Sequence, residues 1–83
     1  KAILLGAVPG VGDRLAGQVV DFVGRMRTLE LKKAPSIAET IDWAHTLVAL
    51  SIGTLDETAV RNTLGVVLKH ASDHERAIRE LRL

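Results

Sequence analysis

Residues 4–14 read Leu4-Leu5-Gly6-Ala7-Val8-Pro9-Gly10-Val11-Gly12-Asp13-Arg14, and their glycines invite comparison with a phosphate-binding loop. The Walker A pattern needs Gly, four residues, then Gly-Lys-Ser/Thr, because backbone N–H groups and the Lys hold phosphates while the hydroxyl meets Mg²⁺. Ending the pattern at Gly12 puts Ala7 at the first Gly, Asp13 at the Lys and Arg14 at the hydroxyl position. A carboxylate there repels phosphate, so the stretch is not a working phosphate loop. His70 and His74 stand four apart, a spacing that places two metal ligands together within one helix. A helix break is expected between them at Ala71-Ser72, and no third ligand is obvious, so solvated surface histidines are expected and no metal site is assigned. The chain has no Cys, which removes thiol nucleophiles, disulfides and Cys-based zinc sites. No Ser/His/Asp set or carboxylate pair has a spacing that supports catalysis, and no catalytic residue is assigned.

Val8-Pro9-Gly10-Val11-Gly12 followed by Leu15-Ala16 also resembles a helix-hairpin-helix DNA-binding element, in which glycine N–H groups meet phosphates. Formal net charge is only +1 and the helix that follows carries Asp21. A dedicated nucleic-acid binder carries a stronger basic bias, so no nucleic-acid partner is expected. Lys32-Lys33 is a short basic step, which reads as a solvated edge or as a contact for phosphate or a neighbouring subunit. His45 pairs with Asp42 at helical spacing. Trp43 falls beside the main apolar stripe of its helix and reads as an anchor for the core or for an interface.

These residues must be positioned by a small fold. The chain has 83 residues, 47% of them apolar and 25% charged, which suits one globular domain. Phe22 and Trp43 are the only aromatics, so the core is aliphatic. No apolar run approaches the roughly 18 residues of a membrane span. The spacing predicts an all-α, small antiparallel bundle of about four helices after a short apolar lead at 1–5. The first helix spans about 13–26, with Leu15, Val19, Phe22, Val23 and Met26 on one stripe. An extended connector at 29–35 ends at Pro35, which disfavours helix at Ala34. Ser36-Ile37-Ala38-Glu39 is a capping box opening the second helix, whose expected buried face is Ile37, Ile41, Ala44 and Val48 with Leu47 beside them. Residues 51–55, containing Gly53, end it. A third helix starts at Asp56 and runs to about His70, with Gly65 marking a close helix contact. A second capping box, Ser72-Asp73-His74-Glu75, opens a fourth helix that buries Ile78 and Leu81. The expected core is Leu15, Val19, Val23, Ile41, Val48, Val60, Leu64 and Val67.

Leu29-Glu30-Leu31-Lys32-Lys33-Ala34-Pro35-Ser36-Ile37-Ala38-Glu39-Thr40-Ile41-Asp42-Trp43-Ala44 is similar to a stretch of the C-terminal lid in one branch of MoxR-type AAA+ ATPases. There the pattern reads Leu-x-Leu-x-Lys-x-Pro-Ser/Gly-Ile/Val-Ala-Glu-Thr-Ile/Leu-Asp-Trp-Ala. The flanks resemble the lid too: Val8-Pro9-Gly10-Val11, Leu15-Ala16 and Gln18-Val19-Val20 before it, Leu55-Asp56 and 63–69 after it. The resemblance covers nearly the whole chain, and Ala38 to Ala44 is its most specific part.

The resemblance implies that residues 1–83 form a single helical lid, a piece of a longer ATPase with its Walker A, Walker B and sensor 1 elements upstream. It implies ATP and Mg²⁺ as cofactors of the longer protein, with none in the lid alone. It implies as partners the ATPase core of the same chain, neighbouring subunits of a ring, commonly a hexamer, and a von Willebrand factor A-type protein. A cytoplasmic, chaperone-like remodelling machine without membrane or nucleic-acid contact is the expected setting. The nucleotide-facing residues expected are Lys33, Pro35, Ser36 and Ile37. AAA+ lids often carry a sensor 2 Arg near the start of this helix. Ser36-Ile37-Ala38-Glu39 contains none, and Lys33 or a neighbouring subunit is left to supply the cation. The alternatives are the helix-hairpin-helix module and a stand-alone helical protein-interaction domain.

Overall fold

The computed structural model describes residues 2–80. Among them there are five helices: α1 (Ala2–Ala7), α2 (Asp13–Arg27), α3 (Ile37–Ala49), α4 (Glu57–Val67) and α5 (Ala71–Glu80). The expected all-helical bundle is thus present, with one helix more than the spacing suggested. The lead at 1–5 belongs to α1, whose Leu4 is buried.

Each helix boundary has a local cause. Gly10, at φ 89°, turns the chain between α1 and α2, and a Cβ there would meet Val48 Cγ1 at 3.3 Å. Val8 and Val11 on either side of that turn are buried, so the glycine-rich stretch serves the core. The α3 capping box forms: the Glu39 N–H donates to Ser36 Oγ at 3.1 Å and the Ser36 N–H donates to Glu39 Oε1 at 3.0 Å. At the other end the Ile52 N–H donates to the Leu47 carbonyl and the Ser51 N–H to the Val48 carbonyl, which is a Schellman closure. Its left-handed residue is Ser51, at φ 59°, and not the expected Gly53. Asp56 caps α4 through the Ala59 N–H at 2.8 Å.

The core lies between α2, α3 and α4. Leu15, Val19, Phe22, Val23 and Met26 from α2 and Val60, Leu64 and Val67 from α4 are buried as their stripes predict. α3 differs. Its buried face is Thr40, Trp43, Ala44 and Leu47, while Ile41 and Val48 are half-buried at the edge and Ile37 is 58% exposed. The helix is rotated so that its largest side chain points inward. Trp43 is fully buried, its ring edge-on to Phe22 with centroids 5.7 Å apart and planes at 66°. Its indole N–H donates to Thr63 Oγ1 at 2.7 Å, and Thr63 Oγ1 in turn donates to the Ala59 carbonyl at 2.7 Å. The buried indole therefore has the polar partner it requires.

The polar linkages hold the loops. Gln18 Oε1 accepts the Leu55 N–H at 2.9 Å, tying α2 to the α3–α4 loop. α5 packs on α4, where a Cβ on Gly65 would meet His74 Cε1 at 3.5 Å, an ordinary van der Waals contact. α5 starts one residue before the expected cap. Ser72 lies inside it, and the His74 N–H donates to the His70 carbonyl. α5 buries Asp73 and Ala77, Ile78 is half-buried, and Leu81 lies outside the described residues.

Candidate functional site

The residues expected to face nucleotide, Lys33, Pro35, Ser36 and Ile37, span the junction of the connector with α3. Residues 28–36 form neither helix nor strand, and each part of the segment is held by a different neighbour. Leu29 and Leu31 pack half-buried against the core. The Lys32 N–H donates to Asp73 Oδ1 at 2.9 Å and the Lys33 N–H donates to Asp73 Oδ2 at 3.2 Å. Pro35 is buried, and its carbonyl accepts from Arg27 Nη2 at 3.2 Å. Ser36 then caps α3.

Of the four expected residues, Lys33 and Ser36 share one neighbourhood. Lys33 Nζ is 4.0 Å from Glu39 Oε2, and the Lys33 side chain is 58% exposed. Ser36 holds the other oxygen of the same carboxylate. Pro35 is turned inward and contributes its carbonyl to Arg27. Ile37 points away from this cluster to a shallow apolar groove of about 300 Å³ between α1, α2 and α3, which Ile3, Val20, Arg27 and Ile41 also line.

The electrostatics are set by hydrogen bonding. The backbone N–H of Ser36 is the largest influence on Glu39 and holds its carboxyl below the usual range. Partial burial opposes this, while the Ser36 hydroxyl and the charges of Lys33 and Lys69 add to it. Burial, the largest single influence, pushes the Asp73 carboxyl up, and the backbone N–H groups of Lys32 and Lys33 oppose it. With the charges of His70 and Lys32 they leave it below the usual range. Helix geometry leaves the Ile37 and Ala38 N–H groups without partners inside α3. This edge therefore offers one exposed ammonium, one capped carboxylate and free helix donors.

Asp73 and Arg27 hold this edge and were not expected there. The sequence pattern puts Asp73 in a local cap, whereas its partners lie 40 and 41 residues earlier. Arg27, in the last turn of α2, reaches the connector through the Pro35 carbonyl, a contact that spacing does not announce. The two histidines also separate. His70 is exposed, while His74 is half-buried and donates from Nε2 to the Leu68 carbonyl at 2.5 Å, which fixes its tautomer. His74 is thus not a solvated surface residue.

Comparison with models of protein families, with curated proteins and with solved structures found no match. No helix among the described residues is long and apolar enough to cross a membrane.

Proposed function

We propose that this chain is the C-terminal lid of a MoxR-type AAA+ ATPase, a helical piece that closes over ATP–Mg²⁺ bound by a core elsewhere in the protein. The Leu29–Ala44 pattern carries the reading. It is supported by the way the connector and the capped start of α3 form one ordered edge bearing Lys33. In this reading the lid has no chemistry of its own. It turns hydrolysis into rigid-body rotation against the core and the next subunit of a ring. Lys33 stands as the cation near the phosphates or the subunit seam, in place of a sensor 2 Arg. Releasing Lys33 from Glu39 costs little, because an ion pair of this exposure is worth about 0–1 kcal/mol. Ser36 stands beside Lys33 on the nucleotide-facing edge, with Pro35 buried behind and Ile37 turned to the neighbouring apolar groove. The remodelling partner is of the von Willebrand factor A type, and the setting is cytoplasmic.

The test uses the longer protein that contains these residues. Its reading frame should hold Walker A and Walker B motifs upstream. Lys33→Ala should lower ATP turnover or ring assembly there, and should leave the melting temperature of the 83-residue chain unchanged. Wild-type turnover and assembly with Lys33→Ala would reduce the edge to a structural role. Submicromolar duplex DNA binding at moderate salt, lost on changing Gly10 or Gly12, would move the assignment to the helix-hairpin-helix class.

A further inference from the structure

Asp73 is 2% exposed, yet its carboxylate is the point at which the Lys32–Lys33 step of the connector is fastened. Burying a carboxylate is costly unless hydrogen bonds satisfy it, and an apolar contact would tie down a loop at lower cost. What a carboxylate adds is geometry. Its two oxygens take two consecutive backbone N–H groups, one each, and so fix the peptide planes on both sides of Lys32. The second of those planes carries the Lys33 N–Cα bond, and so places the Cα from which the Lys33 side chain leaves the backbone. The rest of α5 is joined to the bundle through α4, through Ala77 and through the His74–Leu68 bond. The position of α5 and the position of Lys33 therefore share one fastening.

We propose that Asp73 is a positioning residue for the Lys33 edge. Docking of α5 sets where Lys33 stands, and displacement of α5 releases the connector. The proposal rests on the lid reading above for what Lys33 does, and on the two hydrogen bonds for how it is held. It makes α5 a latch: a contact that pulls on the last helix is felt 40 residues earlier in sequence, at the head of α3.

Two measurements test it. In the 83-residue chain, Asp73→Asn should raise amide hydrogen exchange at Lys32 and Lys33 by about tenfold or more while the α3 amides keep their protection. Unchanged protection at Lys32 and Lys33 overturns the latch. In the longer ATPase, Asp73→Asn should raise KM for ATP more than it changes kcat. Added to Lys33→Ala it should cause no further loss, because both changes remove the same interaction. Additive losses would make Asp73 a general stability residue and overturn the positioning role. Should Asp73→Asn prevent folding, Asp73→Glu keeps the charge, moves the oxygens by one methylene and enters the same cycle. A Lys33→Ala protein with full activity would defeat the lid reading's site and the positioning role with it. Freed amides would then still report the fastening by itself, so the two failures are distinguishable.

Discussion

α3 and α5 begin with the same kind of sequence, Ser36-Ile37-Ala38-Glu39 and Ser72-Asp73-His74-Glu75, and only one of them forms a capping box. Before Ser36 stands Pro35, buried and with its carbonyl held by Arg27; it keeps Ala34 out of the helical region, and the chain is still extended at Ser36. The Ser side chain then has nowhere better to bond than Glu39. Before Ser72 stands Ala71, the best helix former, and the helix begins there. Ser72 is left exposed within the first turn and Asp73 is turned to the interior. A capping pattern thus closes locally when the chain arrives extended and no distant donor competes. At α5 the preceding residue invites helix, and two unsatisfied N–H groups in the connector claim the carboxylate.

The sharpest way to break this comparison is Asp73→Ala, which removes two charge-assisted hydrogen bonds and leaves two connector N–H groups without their acceptor. Bonds to charged groups are worth about 1.5–3 kcal/mol each and are partly redundant here, so a loss of about 3 kcal/mol in urea unfolding is expected. A loss under about 0.5 kcal/mol, the range of a surface substitution, would mean that the buried carboxylate holds nothing. Acid acts on the same bonds more gently, because a protonated Asp73 keeps one accepting oxygen. Its folded pKa is depressed, so its contribution is fully present above the unfolded value of about 3.9 and is lost as pH falls through the lower folded value. Carboxyl ¹³C shifts followed from pH 6 to pH 2 should therefore show both Asp73 and Glu39 titrating below their free-peptide values of about 3.9 and 4.3. An Asp73 that titrates above that value contradicts the assignment.

At the other helix, Ser36→Ala should cost about 1 kcal/mol, the usual worth of an N-cap. Ser72→Ala, the matching change in the pattern that does not close, should stay within about 0.5 kcal/mol of wild type. Equal losses at Ser36 and Ser72 in thermal melts would show that both caps form in solution.

The sequence made legible what local rules decide. The stripes of α2 and α4, the Ser36 and Asp56 caps and the irregular connector follow from spacing and from Pro35. α1 was missed because six residues carry too little periodicity, with Gly6 inside and Pro9 beyond. The inward face of α3 was misjudged because Ile37 and Ile41 outweigh Thr40 on any apolar scale. The core instead takes Trp43, whose N–H finds Thr63 on α4, and that partnership is 20 residues distant. At the candidate edge, Lys33 and Ser36 were visible as types in a pattern. Asp73 was not, because a buried clasp across 40 residues leaves no mark in local spacing.

The lid reading is tested most directly by asking which residues touch the nucleotide's terminal phosphate. ATP carrying a photoreactive group on the γ-phosphate, bound to the longer ATPase and irradiated, should label the peptide that contains Lys33 to Ile37. Asp73→Asn should diminish that label while leaving labelling of the core unchanged. Labelling confined to the core, with residues 33–37 unmarked at saturating nucleotide, would contradict the placement of this edge over ATP.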